Sequence, residues 1–137
     1  MRREPESDFK LQLKNVEGIP ILRLAGNVTS TALKAVTFTL DKLIRAGHFS
    51  VVLNVERVNS DNLLRFLNAL SASVRKFREH HGVVELVEAG DRVARLAQVQ
   101  KLKRLFRFSH SEQQAISRIK RLVRYPDSVA EIDAHIT

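Results

Sequence analysis

The chain of 137 residues contains no cysteine, only three prolines and five glycines, and aromatic side chains make up 6% of it. Without cysteine there is no disulfide framework, no thiolate metal site and no cysteine nucleophile. The glycines stand singly, so neither a G-x-x-x-x-G-K-[ST] phosphate loop nor a G-x-G-x-x-G dinucleotide turn is present. No apolar run approaches the eighteen or so residues that a membrane span needs. The opening Met1-Arg2-Arg3-Glu4-Pro5-Glu6-Ser7-Asp8 has no signal-peptide stretch, which makes a cytoplasmic protein the expectation. What remains is ordinary globular material, 44% hydrophobic and 28% charged, of a length that suits one domain.

Charge is abundant but uneven. Residues 1–90 hold 13 Lys/Arg against 10 Asp/Glu, whereas residues 91–125 hold ten against two. Arg104, Arg107, Arg118, Lys120, Arg121 and Arg124 are expected to form one basic face that would attract nucleic acid, anionic membrane or an acidic protein surface. Residues 126–137 contain Asp127, Glu131 and Asp133 with no Lys or Arg, an acidic and mobile tail by expectation. Residues 1–8 are expected to be disordered, leaving 9–125 as the domain.

Periodicity supplies the elements. Phe9, Leu11 and Leu13 alternate with polar residues, and Ile19–Ala25 follows a Val16-Glu17-Gly18 turn, so a β-hairpin is predicted. Leu33, Val36, Leu40, Leu43 and Ile44 recur at helical spacing, capped by Ser30 or Thr31 and ended by Gly47. Phe49–Val55 reads as a central strand, apolar on both faces. From Ser60 one helix is predicted on the stripe Leu63, Leu67, Leu70, Val74, Phe77, with Arg75, Lys76 and Glu79 outside it and His80-His81-Gly82 at its end. A strand at Val83–Val87, a short helix from Gly90-Asp91 with Val93, Leu96 and Ala97, and a strand at Leu105–Phe108 follow. Ser111 and Gln114 form a capping-box pattern ahead of a last helix on Ala115, Ile116, Ile119, Leu122 and Val123, closed by Pro126. The fold class is α/β, a hairpin and then alternating helices and mostly parallel strands, with helices packed on a sheet of four or five strands.

Catalytic constellations are missing, so no enzyme, cofactor or catalytic residue is assigned. His80 and His81 point away from one another on a helix and have no second ligand pair nearby, so no metal is assigned either.

Three local patterns carry a likeness. Leu24-Ala25-Gly26-Asn27-Val28-Thr29 looks like an apolar strand ending in G-[ED]-L-D, and Val51–Val58 looks like V-V-L-D-L-S-G-V running into a leucine-rich helix. Val93 and Leu96, then Lys101–Phe106 and Ser111–Ala115, look like a V-x-x-x-L-x-x-x-x-L-x-x-L-F ending with its S-x-x-E-A helix start. In order and spacing the chain resembles the STAS family, the bacterial anti-sigma factor antagonist fold. The resemblance implies a non-catalytic module of transcription regulation or signalling, whose partner is an anti-sigma kinase, a signalling scaffold or the ATPase of a transporter. A homodimer is compatible with it.

The departures are as informative as the matches. The family's D-S-S-G falls on Asn62-Leu63-Leu64-Arg65, which puts Leu63 where the phosphoacceptor serine stands, and Thr29 occupies its other acidic position. The usual phosphorylation switch is therefore expected to be absent, with Ser60 as the candidate phosphosite if the register shifts, and otherwise an N-cap. The partner surface implied by the resemblance is Asn59, Ser60, Asp61, Asn62, Leu64 and Arg65, with Leu64 or Phe66 as an exposed apolar anchor. The alternative is binding of nucleic acid or anionic membrane through the 91–125 face.

Overall fold

A computed structural model of the chain describes residues 9–59, 62–88, 92, 95, 96 and 98–122. The predicted features at 1–8, Ser60, Asp61, Gly90-Asp91, Val93, Ala97, Val123, Arg124 and 126–137 lie outside the described residues.

β1 (Lys10–Val16) and β2 (Ile19–Gly26) form the expected antiparallel hairpin, with Val16 opposite Ile19. Glu17 and Gly18 both have positive φ, 54° and 86°, the turn geometry whose twist suits a two-residue hairpin loop. The Gly18 N–H donates to Asn15 Oδ1 at 2.9 Å. β2 is buried along most of its length, whereas β1 is not: Leu13 is 49% exposed. The alternation in β1 thus predicts the half-buried strand: Phe9 and Leu11 are partly buried against the core, and of the alternating apolar residues only Leu13 is left to solvent on this edge strand.

α1 (Ser30–Arg45) is capped by Thr29, one residue earlier than expected, whose Oγ1 accepts from the Ala32 N–H at 3.1 Å. Thr37 and Thr39 donate their hydroxyls to the carbonyls of Leu33 and Ala35, so these poor helix formers bury no unpaired group. Gly47, at φ 90°, donates to the Ile44 carbonyl and ends the helix as predicted.

β3 (Val51–Val58) starts two residues later than the periodicity suggests and runs three residues further. Phe49 stays outside it and stacks on His80, with ring centroids 4.2 Å apart. The single helix expected over the next stripe is two, α2 (Leu63–Ala69) and α3 (Ser71–Glu79). The break falls at Leu70, whose ψ is 0°, far from the helical value near −42°. Its N–H is shared between the Phe66 and Leu67 carbonyls, and the Ser71 hydroxyl takes the Asn68 carbonyl at 2.5 Å. The stripe from Leu63 to Phe77 is nevertheless buried throughout, so one face serves two helices.

β4 (Val84–Val87) is fully buried. α4 (Gln100–Leu105) has no counterpart among the predicted elements, since its stripe is only Leu102 and Leu105. It takes up Leu105, so β5 (Arg107–Ser109) begins two residues later than expected. α5 covers 112–122. Ser111 Oγ accepts from the Gln114 N–H at 3.0 Å, and Gln114 Oε1 accepts from the His110 N–H at 2.7 Å, so the capping box forms with its return bond at the residue before the cap. Ala115, Ile116 and Ile119 are buried, while Leu122, expected on that stripe, is 41% exposed.

The five strands lie in sequence order, β2 to β5 parallel. Right-handed crossovers in one direction stack helices on a single face. The core there joins Val36 and Leu40 of α1, Phe66 and Leu67 of α2, Val74 and Phe77 of α3 and Leu102 of α4 to Leu22, Leu53 and Leu86 of the sheet. α5 follows the last strand and packs Ala115, Ile116 and Ile119 on the opposite face, against Ile19, Ile21, Val52 and Val87. The α/β class, the initial hairpin and the mostly parallel sheet of five strands are as the sequence indicates.

Candidate functional site

The loops after β2 and β3 meet at the carboxyl end of the parallel strands. Asn59 donates its backbone N–H to the Gly26 carbonyl at 2.9 Å and its side-chain amide to Asn27 Oδ1. Asn62 is exposed and stands at the N-cap of α2, where its side chain makes no capping bond. Leu63 points into the core at 3% exposure, and Phe66 is buried with it at 4%. Leu64 is left 44% exposed with exposed Arg65 beside it. Of the two apolar residues considered as an anchor, Leu64 is therefore the one that reaches solvent. Asn59, Asn62, Leu64 and Arg65 are described; Ser60 and Asp61 of the same predicted surface are not.

Among the described residues, the cations expected to share one basic face divide between the two sides of the sheet, and Arg124 lies outside the description. Arg104 projects from α4 on one side of the sheet, while Arg118, Lys120 and Arg121 belong to α5 on the other. Several are engaged within the molecule. Glu85, wholly buried on β4, accepts from Ser109 Oγ at 2.6 Å and has Arg107 Nε and Arg118 Nε at 3.6 and 3.5 Å. Arg118 also donates to the Phe108 carbonyl at 2.6 Å, and Lys120 pairs with Glu17. A buried carboxylate demands such partners, so Arg107 and Arg118 close the seam between β4, β5 and α5. Arg121 is exposed.

A second polar cluster escaped the sequence reading. Arg23 forms a bidentate pair with Glu112, Nε to Oε2 and Nη2 to Oε1, both at 2.7 Å, and Asn54 Nδ2 donates to the same Oε2 at 2.7 Å. The Arg23 bond holds the Glu112 carboxyl below its ordinary value; burial works the other way, and Asn54 and then Lys14 add to the lowering. Glu112 therefore stays ionised at neutral pH with its oxygens occupied, and it has no proton to give. The trio borders an open cleft of ≈ 970 Å³ that also touches Lys10, Gln12 and Arg57. The signal was present: Arg23 and Asn54 interrupt apolar strands and are register partners. Their partner on α5 was not legible. Among the described residues no three His, Asp or Glu side chains are grouped to hold a metal ion, and no helix is long and apolar enough to cross a membrane.

No protein-family model matches the chain, and no curated protein is significantly similar to it. Solved structures are. An anti-sigma factor antagonist from Mycobacterium paratuberculosis superposes with a TM-score of 0.68 at 14% identity, over 86% of this chain and 99% of that one. The Bacillus cell fate determinant SpoIIAA in its phosphorylated form gives 0.59 at 16% identity, over 80% and 99%. An anti-sigma-factor antagonist (STAS) domain protein from Planctomyces limnophilus gives 0.58 at 12%, over 80% and 97%. At such identities the likeness is one of backbone architecture: the chain has the STAS fold, the fold of the anti-sigma factor antagonists.

Proposed function

We propose that this chain is a non-catalytic STAS-type regulatory module of a bacterial cytoplasm, binding a protein partner through the surface at the start of α2. The observation that carries the reading is Leu64, an aliphatic side chain left 44% exposed while Leu63, Phe66 and Leu67 around it are buried. An exposed aliphatic group flanked by polar and cationic residues is the composition of a recognition anchor with its rim. The partner class is that of the fold's known associations: an anti-sigma kinase, a signalling scaffold or a transport ATPase. Burial of Leu63 supports a module without the usual phosphoacceptor, since that position carries no hydroxyl and is packed in the core. Ser60 is the remaining candidate for phosphate, and mass spectrometry of the protein from its host tests it.

Binding of nucleic acid or membrane through a basic 91–125 face loses support, because those cations divide between two faces and Arg107, Arg118 and Lys120 are engaged internally. The deciding experiment is a nuclease-treated pull-down from host lysate with the wild type and with Leu64→Asp/Arg65→Glu. A stoichiometric kinase, scaffold subunit or ATPase retained by the wild type and lost by the variant is the expected result. Equal capture by both removes this surface.

A further inference from the structure

Part of the positive charge that does not turn inward collects elsewhere. α3 and α4 pack side by side, and a groove of ≈ 700 Å³ runs between them. Arg75 and Arg78 line one wall and Lys101 and Arg104 the other, with Glu79 as the one carboxylate and buried Leu105 at the base. All four cations are exposed, and among the described residues none of them forms an ion pair. Arg78 donates to the Arg104 carbonyl, which ties the two walls together.

The spacing is regular. Residues three apart on a helix share a face and are separated by roughly 4.5 Å along its axis. Each wall therefore presents two cations in one row, and the rows face one another. Favourable placement of Arg78 and Arg104 in the last turns of their helices explains those two through the helix dipole. It does not account for Arg75 and Lys101, which complete the opposed rows.

We infer that this groove is a docking site for an acidic segment of a protein partner. Carboxylates spaced along such a segment meet the Arg75–Arg78 and Lys101–Arg104 rows, while Glu79 pairs with a cation in the same segment. The lone carboxylate argues against a uniformly charged phosphate chain, which it would repel without return. No aromatic side chain lines the groove, so single-stranded nucleic acid has no base to stack on. A duplex, for its part, is too broad to enter between helices whose axes lie about 8–10 Å apart. This site is separate from the Leu64 surface and does not depend on it.

Fluorescence anisotropy with a labelled oligoglutamate peptide tests the inference, with an oligoglutamine peptide, a DNA duplex and anionic phosphatidylglycerol vesicles as parallel probes. The wild type is expected to bind oligoglutamate in preference to the others, and to weaken steeply between about 50 and 200 mM salt. Arg75→Glu/Arg104→Glu should lose about tenfold or more in affinity, and the milder Arg75→Gln/Arg104→Gln an intermediate amount, with thermal melts confirming that both fold. Arg121→Glu, an exposed cation on the other side of the sheet, and Leu64→Asp should bind oligoglutamate as the wild type does. Unchanged affinity in the groove variants, equal loss in Arg121→Glu, or tighter binding of duplex or vesicles than of peptide overturns the site.

Discussion

Arg23 and Glu112 stand 89 positions apart in the chain and meet in a bidentate pair with both N···O distances at 2.7 Å. Their contact fixes the first turn of α5 to β2, and Asn54 extends the tie to β3. α5 is the only described helix on its face of the sheet, so this polar clamp and the small apolar cluster beneath it decide where the helix sits.

The clamp has a pH signature. Glu112's carboxyl is depressed in the folded protein, so its contribution to stability is complete above the ordinary carboxylate value and is lost as pH falls through the lower, folded one. Glu112→Gln should lower stability by about 1 kcal/mol at neutral pH, a figure reduced for the partial exposure of Arg23. The gap between variant and wild type should hold down to about pH 5 and shrink below it. Urea melts across the acid range measure it, and a gap independent of pH contradicts the assignment.

Gly82 is required by its neighbour. A Cβ there would lie 1.3 Å from the carbonyl oxygen of Phe49, a backbone atom that cannot swing aside. Gly82→Ala should cost about 3 kcal/mol or more, at or beyond the upper end for overpacking. Gly18→Ala, whose Cβ meets nothing within 4 Å but whose φ is +86°, should cost about 1 kcal/mol through strain alone. Thermal denaturation of the pair separates collision from conformation, and equal losses would refute the distinction.

Burial also ranks the cations of α5. Arg118→Leu removes a partner from wholly buried Glu85 and should destabilise by about 2–3 kcal/mol, moderated by Arg107. Lys120→Leu breaks only an exposed pair with Glu17 and should change stability by about 0.5 kcal/mol or less. If both variants melt alike, Glu85 is not held as described.

Adjacent leucines should part company under mutation. Leu63→Ala empties a core position and should cost about 2–4 kcal/mol. Leu64→Asp, on the exposed side of the same turn, should leave the melting temperature within a degree or two while abolishing partner capture. A stable Leu63→Ala would show that α2 does not depend on that contact.

The elements themselves were written locally. The hairpin follows from alternation around Glu17-Gly18, the end of α1 from Gly47, and the burial of α2 and α3 from a stripe that keeps its phase through Phe77. Such features depend on residues within a few positions of each other, which is why periodicity and turn chemistry expose them. The kink at Leu70 and the short α4 were illegible for the complementary reason: two or three residues carry each, too few to form a pattern. What only the tertiary structure decided is the use of charge. Composition concentrates cations in residues 91–125, but the chain turns Arg107 and Arg118 inward to a buried glutamate and divides α4 from α5 across the sheet. It then places Lys101 and Arg104 beside Arg75 and Arg78, which lie outside that basic segment. Charge acts through distance in space, and sequence separation says almost nothing about it.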